Sequence, residues 1–118
     1  MHNNLIKLHE AIISDIKKYI NDNIYDRNTN AINICRMSGY STQYMHRLFR
    51  KMTSKSILQY INEVRMEKTR HLLINTDMTV TEISRLFGFT SLSDLTKRFK
   101  KKYGQPPSLF RQLHKKKI

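Results

Sequence analysis

The sequence predicts an all-α fold of about seven helices, in which two helix-turn-helix subdomains are joined by a long central helix. Three observations carry this. Gly and Pro are scarce, 3 and 2 in 118 residues, so long elements with few turns are expected. Apolar residues recur at helical rather than alternating spacing from Ile12 onward. One phrase is also written twice: "GYSTQYMHRLF" opens at Gly39 and "GFTSLSDLTKRF" opens at Gly88.

The elements follow in order. Ile12, Ile13, Ile16, Ile20 and Ile24 predict an amphipathic helix over about residues 8–24, broken by "YDRNTN". Ala31, Ile34, Cys35 and Ser38 mark a short second helix, with Gly39 placed to end it in a left-handed conformation. Ser41 caps a third, whose stripe is Met45, Leu48, Phe49 and Met52. Ser56 caps a longer fourth helix through about Asn75. Ile57, Ile61, Val64, Lys68 and Leu72 trace its faces, and Leu58 and Leu73 broaden its apolar side. At 1.5 Å per residue that helix is about 28 Å long.

"INTDMT" interrupts the chain again. Thr79 with Glu82 then reads as a capping box opening a fifth helix with Val80, Ile83, Leu86 and Phe87 as its core, ended by Gly88. Ser91 and Asp94 can cap a sixth helix carrying Leu95 and Phe99. "YGQPP" stops it, and Pro106 or Pro107 starts a last helix through "SLFRQLH". The tail "HKKKI" is expected to fray, its lysines idle or facing a polyanion. The subdomains are expected at 1–55 and 76–118, with 56–75 as the linker helix.

Charge points to the partner. There are 22 Lys and Arg against 9 Asp and Glu, a net +13. Such an excess predicts nucleic acid, an acidic membrane surface or an acidic protein. No Asp or Glu occurs from Arg27 to Asn62, and none after Asp94. The two copies of the repeated phrase fall mostly in these basic zones.

Gly39 and Gly88 are 49 residues apart, as are Ile34 and Ile83. From Ser41 and Ser91 onward the offset is 50, pairing Phe49 with Phe99, Arg47 with Lys97 and Tyr60 with Phe110. Each copy reads as a short helix, a Gly–aromatic turn, and a capped second helix with an apolar inner face. In a helix-turn-helix that second helix enters the DNA major groove. Its outer face offers Gln43, His46, Arg47 and Arg50 in the first copy, and Ser93, Thr96, Lys97 and Lys100 in the second. Adjacent major-groove segments on one DNA face lie about 34 Å apart, near the length of the fourth helix. One chain is thus expected to do what a helix-turn-helix dimer does.

With these residues in place, the sequence resembles the DNA-binding domain of the AraC/XylS family of bacterial transcription regulators. The resemblance rests on "EISRLFGFTSLSDLTKRFKKKYGQPPSLFR" (82–111), on "SGYSTQYMHRLFRKMTSKSILQYI" and on "RMEKTRHLL", and covers about residues 10–113. In length the chain is similar to the small stand-alone MarA/SoxS-like members. It opens at Met1 directly before the first helix, so no preceding sensory domain is expected.

The resemblance implies a monomeric activator of stress or multidrug-resistance genes. It would bind promoter DNA beside RNA polymerase and be set by cellular amount rather than by a small-molecule effector. Carried over by position, base contacts fall on Gln43, His46 and Arg47, and on Leu92, Ser93, Thr96 and Lys97. The sequence departs from the stand-alone members at several of these. Gln43 stands where they carry Trp, His46 where Gln is frequent, Leu92 and Ser93 in place of a Gln pair, and Lys97 in place of Arg. Thr69 and Ser84 replace small Ala positions, and the promoter sequence does not carry over.

Individual residues keep alternatives open. Arg47 can hold guanine through its planar fork or clamp a phosphate. Gln43 can pair with adenine or stand in solvent. Lys97 lacks the fork and leans towards phosphate. Leu92 either continues the core stripe, the favoured reading, or touches a thymine methyl. Asp94 is read as a cap. Lys100, Lys101 and Lys102 add affinity without sequence information.

Other classes have little support. No catalytic triad, phosphate-binding Gly loop or paired carboxylate is evident, so no enzyme and no cofactor are expected. His46 has no Cys or carboxylate at ligand spacing, so no metal is expected. The single Cys35 allows no intrachain disulfide and suits a reducing compartment. No apolar run approaches the ~20 residues that span a bilayer, and the expected location is the cytoplasm, on the nucleoid when DNA is bound. The rival reading is a non-specific basic architectural protein.

Overall fold

The computed structural model describes residues 2–115, with side chains described from residue 3. It is all-α: α1 (His2–Asp22), α2 (Ala31–Ser38), α3 (Thr42–Thr53), α4 (Ile57–Asn75), α5 (Val80–Leu86), α6 (Leu92–Tyr103) and α7 (Pro107–His114). The chain forms two units that divide at Val64 and Arg65, inside α4.

In the first unit α3 packs on α1 and α2. Its core includes Ile13, Ile20, Ile34, Met45, Phe49 and Ile61. α1 starts six residues earlier than its isoleucine stripe predicts, because "HNNLIKLH" contains no breaker, although the side chains of residues 3–8 are all exposed. It also ends earlier, at Asp22. Ile24 lies in the following turn yet is 2% exposed, so it belongs to the core without belonging to the helix. Asn30 caps α2 by accepting from the Asn33 N–H at 2.8 Å, and Gly39 closes it at φ +78°.

α4 opens with a reciprocal capping box. The Gln59 N–H donates to Ser56 Oγ at 3.0 Å, and the Ser56 N–H donates to Gln59 Oε1 at 2.7 Å. Ile57, Ile61 and Val64 are buried in the first unit, and Leu72 and Leu73 in the second. Leu58 does not broaden that apolar side: it is 56% exposed, because it is rotated off the stripe that Ile57 and Ile61 define.

In the second unit α6 packs on α5 and α7, around Leu73, Ile83, Phe87, Leu95 and Phe99. Val80 and Leu86, expected in this core, are half-buried. The end of α5 is a Schellman motif. Gly88, at φ +69°, donates to the Arg85 carbonyl at 3.2 Å, and Phe89 donates to the Ser84 carbonyl at 3.0 Å. Thr69 and Ser84 are both buried, and Thr69 satisfies its hydroxyl on the Arg65 carbonyl at 2.8 Å.

Arg111 closes the C-terminal end of α4. Its Nε donates to the Leu73 carbonyl at 3.1 Å and its Nη2 to the Thr76 carbonyl at 3.3 Å. Pro107 takes the first position of α7, where its missing N–H costs nothing. Lys115 is not idle: its ammonium pairs with Asp77, which holds that carboxyl below its ordinary range. The rest of the tail expected to fray, 116–118, lies outside the described residues.

Candidate nucleic-acid interface

Each unit offers one candidate face, built from a helix start. Ser41 Oγ accepts from the Tyr44 N–H at 3.1 Å and fixes the first residue of α3. Ser91 Oγ accepts from the Asp94 N–H at 3.0 Å and does the same for α6. Gln43 and Ser93 therefore occupy the same place, two residues after the cap. Met45 and Phe49 in α3, and Leu95 and Phe99 in α6, have no exposed surface. Those buried pairs set the rotation of each helix.

The rotation brings the predicted groups onto one face each. Gln43, His46, Arg47 and Arg50 are all exposed. Their spacing of three, four and seven places them on adjacent turns, spanning about 10 Å along α3. Ser93, Lys97 and Lys100 are exposed on α6, and Thr96 is half-buried between them. Leu92 does not continue the core stripe. It is 45% exposed because it is the first residue of α6, one turn beyond the packed surface around Leu95.

The two faces differ in chemistry. α3 carries no acid, and its predicted face presents an amide, an imidazole and two guanidinium groups, with the exposed Lys51 ammonium one turn after Arg47. On α6 the Thr96 hydroxyl donates to the Leu92 carbonyl at 2.8 Å, which leaves it acceptor lone pairs and a methyl group. Asp94 does more than the capping expected of it. Its backbone completes the Ser91 cap, while its carboxylate holds Arg98 at 2.9 Å and faces Thr90 at 3.4 Å. Arg98 is thus paired beside the face.

Sequence reasoning missed the support behind α3. Tyr44 Oη lies 3.3 Å from His9 Nε2 of α1, and its ring tilts against Tyr40 at 5.1 Å. The aromatic after Gly39 was the only signal. Among the described residues no cluster of His, Cys, Asp or Glu could hold a metal ion, and no helix is long and apolar enough to cross a membrane.

A family profile described as a helix-turn-helix domain matches residues 34–113, a span holding both turns and both capped helices. A solved chain described as a probable AraC family transcriptional regulator from Rhodopseudomonas palustris superposes with a TM-score of 0.79 at 21% identity, over 90% of this chain and 99% of that one. The chain belongs to the AraC-type helix-turn-helix family.

Two relatives, both longer than this chain, show the range of size within that family. The Msm operon regulatory protein of Streptococcus mutans is 34% identical over 87% of this chain, which spans 37% of that protein. The transcriptional activator AarP of Providencia stuartii is 33% identical over 86% of this chain and 74% of its own length. Several longer relatives are covered to less than half their length. The DNA-binding domain of AdpA, a global transcriptional factor solved with a target DNA, superposes with a TM-score of 0.77 at 21% identity, over 86% of this chain and 90% of that one.

Proposed function

We propose that this chain regulates transcription by sequence-specific binding to double-stranded promoter DNA, with α3 and α6 each laid in a major-groove segment. The observation that carries it is the register of the two copies. Positions 43, 46, 47 and 50 are repeated at 93, 96, 97 and 100, behind buried pairs in equivalent places. Pure phosphate binding requires no such paired, rotationally fixed faces. Arg47 and Gln43 read bases, Arg50, Lys97 and Lys100 hold phosphates, and His46, Leu92, Ser93 and Thr96 complete the two faces. A single copy supplies both helices and suffices for one asymmetric site.

Activation is supported by the activator name of the Providencia relative, and action beside RNA polymerase rests on the resemblance to the family. Stress or multidrug-resistance targets, action without a small-molecule effector and a cytoplasmic location rest on the resemblance to the small members of the family. The test is selection of random duplex DNA by the purified chain at near-physiological salt, followed by sequencing. The expected result is an asymmetric motif with two blocks about one helical turn apart. Strong, salt-sensitive binding with no enriched motif would replace this reading with that of a non-specific architectural protein.

A further inference from the structure

One surface of the first unit plays no part in that reading. It runs along α1. Leu5 and Leu8 are each 51% exposed and Ile16 is buried, while Ile12 and Tyr19 are half-buried. Counted from Ile12, these five stand at −7, −4, 0, +4 and +7. The series is the same in both directions, and on a 3.6-residue helix it forms one apolar stripe. A second copy turned antiparallel about a two-fold axis at Ile12 sets Leu5 over Tyr19 and Leu8 over the groove that the buried Ile16 lines. An isologous interface requires such self-complementarity.

The receiving end is already formed. A groove of about 200 Å³ is lined by Asp15, Ile16, Tyr19, Ile34, Met37 and Ser38. It is larger than the ~150 Å³ cavity that lodges a benzene ring, and Met37 stands at its edge 62% exposed.

Charge favours the same pairing. Residues 1–26 hold three Lys against four Asp and Glu, in a chain whose net charge is +13. α1 itself, residues 2–22, holds three Lys against three Asp and Glu, so two copies meeting there bring no net charge together. Lys7, Glu10 and Lys17 fall on the side of the helix away from the stripe. His9 at −3 and Asp15 at +3 flank it, and the two-fold axis sets each against the other.

We propose that two copies of this chain associate through α1, antiparallel about Ile12, each lodging Leu5 and Leu8 in its partner's groove. The pairing uses none of the residues assigned to DNA and stands or falls independently of that assignment. Sedimentation equilibrium of the full chain, from low micromolar to millimolar concentration, tests it. The mass is expected to rise from 14.1 kDa towards twice that value.

Leu8→Glu and Met37→Glu alter exposed side chains, so the fold is retained, which circular dichroism checks. Each is expected to weaken association at least about tenfold, roughly 1.4 kcal/mol, while Lys7→Glu on the far side leaves it intact. Ile12→Cys is expected to cross-link under oxidation. Leu5→Cys is not, because it lies about 21 Å along the axis from its own copy. A single 14.1 kDa species at millimolar concentration, or association that neither glutamate weakens, would overturn the proposal. Cross-linking through Leu5→Cys in place of Ile12→Cys would overturn the antiparallel register.

Discussion

The Phe49 ring meets the Tyr60 ring edge-on, with centroids 5.7 Å apart and planes at 69°. Phe99 and Phe110, fifty residues further on, repeat the arrangement at 5.3 Å and 76°. Each pair ties the second helix of a helix-turn-helix to the helix that follows. Tyr60 differs from Phe110 in keeping a hydroxyl, which accepts from Asn21 Nδ2 of α1 at 2.9 Å. The second unit instead adds Tyr103 and His114 to the cluster around Phe110.

Phe49→Ala is therefore expected to cost about 3–5 kcal/mol, the range for deleting a fully buried ring. Tyr60→Phe retains the edge contact and removes only the bond from Asn21, an expected loss of about 0.5–1.5 kcal/mol. Urea unfolding followed by helicity measures both. Equal losses would mean that the hydrogen bond between α1 and α4 contributes as much as the ring that ties α3 to α4.

Helix α5 offers a sharper test of a cap. Its sequence reads as a two-way box between Thr79 and Glu82, and the structure places the bond on Thr79 Oγ1, which accepts from the Glu82 backbone N–H at 3.0 Å. A backbone donor survives substitution of its own side chain. Thr79→Ala is expected to cost about 1 kcal/mol. Glu82→Ala should cost only the smaller interaction of an exposed carboxylate with the helix dipole, about 0.3–1 kcal/mol. Thermal melts of the two variants order them, and a larger loss for Glu82→Ala would restore the reciprocal box.

Ser54 follows from the repeat. It ends α3 at φ +63° and donates to the Arg50 carbonyl at 2.8 Å. Its counterpart Gly104 ends α6 at φ +80° and donates to the Lys100 carbonyl at 2.8 Å. The second unit has glycine where the left-handed conformation favours it, and the first does not. A left-handed non-Gly residue costs roughly 1–2 kcal/mol, part of which glycine returns through its greater freedom when unfolded. Ser54→Gly is expected to stabilise the chain by about 0.5–1 kcal/mol, read as a higher urea midpoint. No gain would mean that the serine makes a compensating contact.

These cases show what was legible in the sequence. The apolar stripes were, because burying one face of a helix imposes a period: Met45, Phe49, Leu95 and Phe99 are among the most buried side chains. So were the serine caps and the glycine turns, whose chemistry is local. Leu58 and Leu92 were misread because a stripe has edges, and periodicity alone does not place a residue inside or outside them. Neither the Arg111 fork on the end of α4 nor the hydrogen bond between Asn21 and Tyr60 was legible, since each joins residues 35 or more apart. The repeat did announce the exposed faces of α3 and α6. Which bases such faces would read depends on groups of the DNA that neither sequence nor fold contains.

Cys35 gives a pH-dependent prediction. It is 1% exposed, and burial pushes its thiol above the ordinary value. The folded state then favours the neutral thiol more than the unfolded chain does. That contribution is whole below the unfolded thiol's pKa, about 8.5, and is lost as the pH rises through it towards the folded value. Cys35→Ala should therefore cost more stability near neutral pH than in alkaline buffer. Urea midpoints of both proteins across that range check the sign, and a pH-independent difference would remove the thiol from the balance.

The last prediction separates base reading from phosphate clamping. Arg47 and Lys97 occupy equivalent exposed positions on α3 and α6, but only arginine has the planar fork that bonds guanine at O6 and N7. Arg47→Ala is expected to cost about 1–3 kcal/mol on the selected site and to relax preference at one or two base pairs. Lys97→Ala should weaken selected and scrambled duplexes alike and lower the salt dependence of binding by about one counterion. Titrations of both variants against both duplexes at several salt concentrations distinguish these outcomes. Arg47→Ala weakening both duplexes equally would make Arg47 a phosphate contact and shift sequence reading to Gln43 and His46 on the same helix. Loss of discrimination in Lys97→Ala would instead show that α6 reads bases despite carrying lysine where a guanidinium would fit better.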